Sequence, residues 1–105
     1  MEKIIFKEEV LRYFDNLVYR LFEDEYFGFP ESARDYVDKI VEFVLLSISS
    51  FPHKKTPKSL QSLGADYIFY KTNSRTTWYI FFEKRNQNYL ITGILNNHNE
   101  EAKEL

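Results

Sequence analysis

The spacing of hydrophobic positions changes along the chain, and each change marks a boundary between elements. Lys3-Ile4-Ile5-Phe6-Lys7 is a short apolar run of strand character. From Glu8 onward, Val10, Leu11, Phe14, Leu17, Val18, Leu21 and Phe22 recur every three or four residues, which places one apolar stripe on an α-helix. The pattern predicts an end near Tyr26 to Gly28, since Gly28 accommodates the left-handed conformation that closes a helix, whereas Pro30 stops one helix and can open another. A second helix is predicted from about Pro30 to Ser32. Ser32 and Asp35 have the spacing of a capping pair, and Ala33, Tyr36, Val37, Ile40, Val41, Val44 and Ile48 form the stripe.

Between Ser49 and Gly64 the periodicity vanishes. Pro52, Pro57 and three lysines make this stretch a long connecting loop. Three β-rich runs follow, at 66–71, 76–83 and 89–95, separated by polar turns at 72–75 and 84–88. They predict an antiparallel meander. The order strand, helix, helix, three strands predicts a two-layer α+β domain, with the helix pair on one sheet face and the other face partly open. Residues 100–105 are expected to fray.

Composition sharpens this picture at two points. The 105 residues contain no Cys, which removes disulfides, thiolate catalysis and thiolate metal sites together and suits a reducing cytoplasm. No apolar run reaches the roughly 18 residues of a membrane span, so a cytoplasmic protein without membrane contact is expected. The net charge of −2 is unevenly spread: residues 1–50 carry 6 basic and 11 acidic side chains, whereas residues 51–99 carry 7 basic and 2 acidic. The second half is locally cationic. The acids Glu23, Asp24, Glu25, Asp35, Asp38 and Glu42 fall on the outer helix faces, where a solvated surface is the plain reading. Two His residues 45 positions apart, without an HExxH pattern, do not make a zinc site, and no GxxxxGK[ST] or GxGxxG cradle for nucleotide phosphates is present. Neither a cofactor nor a metal is expected.

The element order, the stretch Thr72-Asn73-Ser74-Arg75-Thr76-Thr77-Trp78-Tyr79-Ile80-Phe81-Phe82, the run Tyr89-Leu90-Ile91-Thr92 and the ending Asn96-Asn97-His98 together resemble the RelE/ParE toxin superfamily of bacterial toxin-antitoxin systems over nearly the whole chain. The resemblance implies one of two activities. RelE-like members are ribonucleases that cut mRNA, often in the ribosome, and ParE-like members inhibit DNA gyrase without a nuclease site. A third outcome is an inactive module that only binds an antitoxin. A cognate antitoxin protein is the implied partner in every case.

Metal-independent RNA cleavage uses the ribose 2′-hydroxyl as nucleophile and requires proton transfer together with charge stabilisation on the phosphate. His suits the first task and the planar fork of Arg the second. The resemblance places His98 at the histidine that several RelE-like nucleases carry after their last strand, and Arg75 near the arginine at the start of their third. A turn centred on Asn86 would set Thr76 opposite Asn96 and Arg75 opposite Asn97, bringing Arg75 and His98 to one end of the sheet. The plain alternatives are a surface histidine in the tail and a solvated turn arginine. His53, Lys54, Lys55 and Lys58 form a basic cluster in the loop, and Lys71 ends the first meander strand; these are the candidate RNA-backbone contacts, with a solubilising loop as the alternative. Of Tyr67, Tyr70, Trp78, Tyr79, Phe81 and Tyr89, about half should face the helices and half the open face.

Overall fold

The computed structural model describes residues 3–23 and 30–105. Strand β1 (Lys3–Phe6) leads into helix α1 (Glu8–Glu23), which is followed by helix α2 (Pro30–Ser47). Four strands come next: β2 (Lys54–Lys55), β3 (Asp66–Lys71), β4 (Thr77–Arg85) and β5 (Asn88–Asn96). Short 3-10 helices occupy Lys58–Leu63 and Glu100–Glu104. The protein is an α+β fold built on one five-stranded sheet of order β1-β5-β4-β3-β2.

The two helical stripes do what their periodicity requires. Val10, Phe14 and Leu17 of α1 and Val37, Ile40, Val44 and Ile48 of α2 are buried against Ile68, Trp78, Ile80, Phe82, Tyr89, Ile91 and Ile94 of the sheet. Among the described residues no helix is long and apolar enough to cross a membrane. The closing glycine proposed for the first helix, Gly28, lies outside the described residues, as do Asp24 and Glu25. Helix α2 already begins at Pro30, so Ser32 sits inside its first turn and the Ser32–Asp35 pair is not a cap.

Three features depart from the sequence expectation. First, the sheet is mixed. Strands β3, β4 and β5 form the expected antiparallel meander, but β1 lies parallel to β5, with Ile4 opposite Tyr89 and Phe6 opposite Ile91. Second, the long loop is partly ordered by its neighbours: Lys54 and Lys55 pair with Tyr67 and Asp66 as an edge strand, and the 3-10 helix after them buries Leu60. Third, residues 100–104 are not a frayed tail. They form a 3-10 helix that buries Ala102, and Glu104 accepts a 2.5 Å hydrogen bond from Ser59 Oγ.

The sheet face away from the helices is therefore half covered. Phe81 and Tyr67 are buried there, with ring centroids 5.5 Å apart, while Ile5 and Leu90 at the β1 side remain exposed. A β-bulge at Thr92 makes this possible. Phe81 faces Gly93 and Phe82 faces Ile91, so Thr92 is the extra residue and its hydroxyl donates to the Leu63 carbonyl at 2.5 Å. Gly93 is required because a Cβ there would stand 2.9 Å from Leu63 O and 3.0 Å from Leu63 Cβ. Gly93→Ala is expected to cost about 1–3 kcal/mol through overpacking, read as a lowered urea midpoint; an unchanged midpoint would mean that the 3-10 helix lifts off the sheet without loss.

Candidate functional site

The best-defined polar constellation lies where β3 turns into β4 and β5 ends. Its scaffold is a set of asparagines. Asn73 Oδ1 accepts from the backbone N–H groups of Arg75 at 2.8 Å and Thr76 at 2.9 Å, while Thr72 N donates to Thr76 O at 3.1 Å, closing the turn. Asn97 clamps this turn to the end of β5. Its Nδ2 donates to the Arg75 carbonyl at 2.9 Å, its Oδ1 accepts from Thr77 N at 3.0 Å, and its own N–H donates to Thr77 O at 3.0 Å. Asn96 Oδ1 accepts from His98 N at 2.8 Å, and Asn99 Oδ1 accepts from Asn96 N at 2.9 Å. The sequence reading assigned none of these four asparagines a role; the signal was their clustering at a turn and a strand end, where Asx side chains substitute for backbone partners.

On this scaffold His98 is exposed and its Nε2 lies 3.2 Å from Thr76 Oγ1, a hydrogen bond in which either atom can donate. Arg75 is exposed one residue before Thr76, held through its backbone by Asn73 and Asn97. Both residues reach the same end of the sheet, but not in the expected register. Trp78 is opposite Asn96 and Tyr79 opposite Leu95, a shift of two from the expected alignment. One residue comes from the turn, which pairs Arg85 with Asn88 around Asn86 and Gln87, with Asn86 at φ 57°. The other comes from the Thr92 bulge. His98 consequently stands across from Thr76, and Asn97, expected opposite Arg75, aligns with Thr77 while its side chain still reaches the Arg75 carbonyl.

The basic residues are divided between two places. Lys71 ends β3 opposite Thr77, at the His98 end. Lys54 and Lys55 pair with Tyr67 and Asp66 at the opposite end of β3, about 13 Å along a strand rising about 3.3 Å per residue. Lys58 opens the adjacent 3-10 helix. Lys54 Nζ lies 5.2 Å from the Phe69 ring centroid, a cation–π contact partway along β3. His53 is exposed but tied down: Nε2 bonds the Ile48 carbonyl at 2.5 Å and the ring sits edge-on to Phe82, centroids 4.8 Å apart. The six aromatics divide between the faces as alternation requires, Tyr70, Trp78 and Tyr89 toward the helices and Tyr67, Tyr79 and Phe81 away from them.

Two tyrosines are displaced from their ordinary titration. Burial raises Tyr13, partly opposed by the Arg20 guanidinium, and burial together with neighbouring Tyr79 raises Tyr67. Raised phenols stay protonated near neutrality, so neither is a general base there. Among the described residues no group of three or more His, Asp or Glu side chains is placed to hold a metal ion.

A second polar feature joins α2 to the turn. Trp78 Nε1 donates to Tyr36 Oη at 3.0 Å, Tyr36 Oη and Thr72 Oγ1 are 2.8 Å apart, and Thr72 Oγ1 points on to Thr76 O at 3.4 Å. Beside this chain lies a cleft of about 300 Å³ lined by Ser32, Asp35, Tyr36, Lys39, Tyr70 and Thr72.

Comparison of the chain with protein-family models, with curated proteins and with solved structures finds no match in any of the three.

Proposed function

We propose that the chain is a RelE-like toxin, an endoribonuclease that cuts mRNA without a metal ion and is held inactive by a cognate antitoxin protein. The observation that carries this reading is the exposed His98, fixed by Thr76 Oγ1 at 3.2 Å next to an Arg75 whose backbone is clamped by Asn97. His98 is the general acid or base. The ribose 2′-oxygen attacks the adjacent phosphorus and loses its proton, the bond to the leaving 5′-oxygen breaks, and that oxygen is protonated. Arg75 balances the charge that builds on the phosphate. Lys71 extends the cationic surface at that end, and Lys54, Lys55 and Lys58 contact the RNA backbone farther along β3. The reading is supported further by the α+β class of the fold and by the meander of β3, β4 and β5 that follows the helix pair.

The division of the lysines between two ends favours a second reading, a ParE-like toxin that acts on DNA gyrase without cutting RNA. Incubating the purified chain with an mRNA transcript in excess EDTA separates the two. The nuclease reading expects fragments ending in 2′,3′-cyclic phosphate and 5′-hydroxyl. Intact RNA, accompanied by inhibited gyrase supercoiling, overturns it in favour of the second.

A further inference from the structure

We infer that the cleft between α2 and the end of β3 is a subsite for a guanine base. It rests on the nuclease reading only for its consequence, a cleavage preference next to guanosine. The walls are pre-organised. Tyr70 is held by a stacked contact with Phe43, ring centroids 4.6 Å apart and planes 17° from parallel, and Tyr36 is fixed by the hydrogen bonds from Trp78 and with Thr72. Rigid aromatic walls suit a flat base, and the volume of about 300 Å³ is at the small end of ligand sites.

The polar groups select among bases. Asp35 and Lys39 are one helical turn apart on the same face of α2, so their Cβ atoms are about 5–6 Å from each other, and they are not joined as an ion pair. A carboxylate beside an ammonium matches the guanine edge, which presents two adjacent N–H donors next to the O6 acceptor. Adenine offers a ring acceptor where Asp35 requires a donor. Cytosine and uracil each present only one donor group beside ring or carbonyl acceptors. A base that turns an acceptor toward the carboxylate forgoes that charge-assisted hydrogen bond.

The cleft is also correctly placed for the cleavage chemistry. Thr72 lines it, Thr72 N bonds Thr76 O at 3.1 Å, and Thr76 Oγ1 meets His98. A base seated there brings its ribose and phosphate toward the His98 end of the sheet.

The test is titration of the full ¹⁵N-labelled chain with GMP, AMP, CMP, UMP and inorganic phosphate, followed by amide shifts. GMP is expected to move Tyr36, Tyr70 and Thr72 and to bind at least tenfold more tightly than AMP. Asp35→Asn, a change on an exposed helix position, is expected to abolish that preference, while Arg12→Ala, on the exposed face of α1 and outside the cleft, binds GMP as the parent does. Equal responses to the four nucleotides, shifts reproduced by inorganic phosphate alone, or an unaltered preference in Asp35→Asn would overturn the subsite. The nuclease reading fails separately: RNA left uncut by a chain that retains the GMP preference removes the cleavage activity and leaves the base site standing, whereas cleavage without any preference for guanosine does the reverse.

Discussion

His98→Ala is expected to slow RNA cleavage by about 100- to 10,000-fold, the range that loss of a positioned proton-transfer group produces. Its side chain is exposed and its hydrogen bond is the 3.2 Å contact with Thr76 Oγ1, so the stability cost should stay within about 1 kcal/mol. A fall in rate at an unchanged urea midpoint therefore isolates chemistry from folding. Arg75→Ala should lower the rate by about 100- to 1,000-fold, as removal of one charge-stabilising donor does. The scaffold contacts of Arg75 are made by its backbone, through Asn73 and Asn97, and survive the truncation. Single-turnover rates on a defined RNA, with unfolding measured on the same preparations, decide the matter. If the two variants each cleave at the parent rate, neither side chain takes part in the mechanism. If both lose activity and the double variant is no slower than the slower single, the two act on the same step.

The parts of the fold that were legible in the chain are those governed by periodicity. Val10, Phe14 and Leu17 and Val37, Ile40, Val44 and Ile48 declare their helices because a stripe of that spacing has only one way to be buried. The meander strands are equally plain, since Trp78, Ile80 and Phe82 alternate with Tyr79 and Phe81. What escaped depends on partners distant in sequence. Lys54 and Lys55 carry no strand signal of their own and become one because β3 offers a free edge. The parallel addition of β1 beside β5 is a tertiary choice that a four-residue run does not encode.

The candidate site shows the same division at finer scale. That Arg75 and His98 meet at one end of the sheet followed from the topology alone. The side chains that hold them did not, because register accumulates small terms: one residue from a turn spanning Asn86 and Gln87, another from the bulge at Thr92. Beyond the bulge the shift is two, which keeps facing side chains on the same face as expected, whereas between the turn and the bulge it is one. His53 shares a basic run with the lysines, and its exposed ring also meets the edges of Phe82 and Tyr89. Nothing within the loop announces that contact with the core.

That end of the core yields the largest expected loss of stability. Phe82→Ala should lower the unfolding free energy by about 3–5 kcal/mol, a third or more of the stability of many small domains, which is about 5–15 kcal/mol. Phe82 is fully buried, its ring centroid is 5.6 Å from Tyr89 and 4.8 Å from His53, and it stands opposite Ile91 at the bulge. Truncation removes the apolar area of the ring and leaves a cavity walled by the buried cluster that the sheet shares with both helices, so collapse is restricted. Phe82→Leu, which keeps most of the volume, should cost less than half as much. Equilibrium urea unfolding of the two variants gives the comparison. A loss below about 1 kcal/mol for Phe82→Ala would show that His53 and Tyr89 move into the vacated space. Because Phe82 lies inside β4, separated from Trp78 and the turn that carries Arg75 by Tyr79, Ile80 and Phe81, cleavage per folded molecule should be unchanged in both variants, which separates the stability of this core from the chemistry assigned to His98.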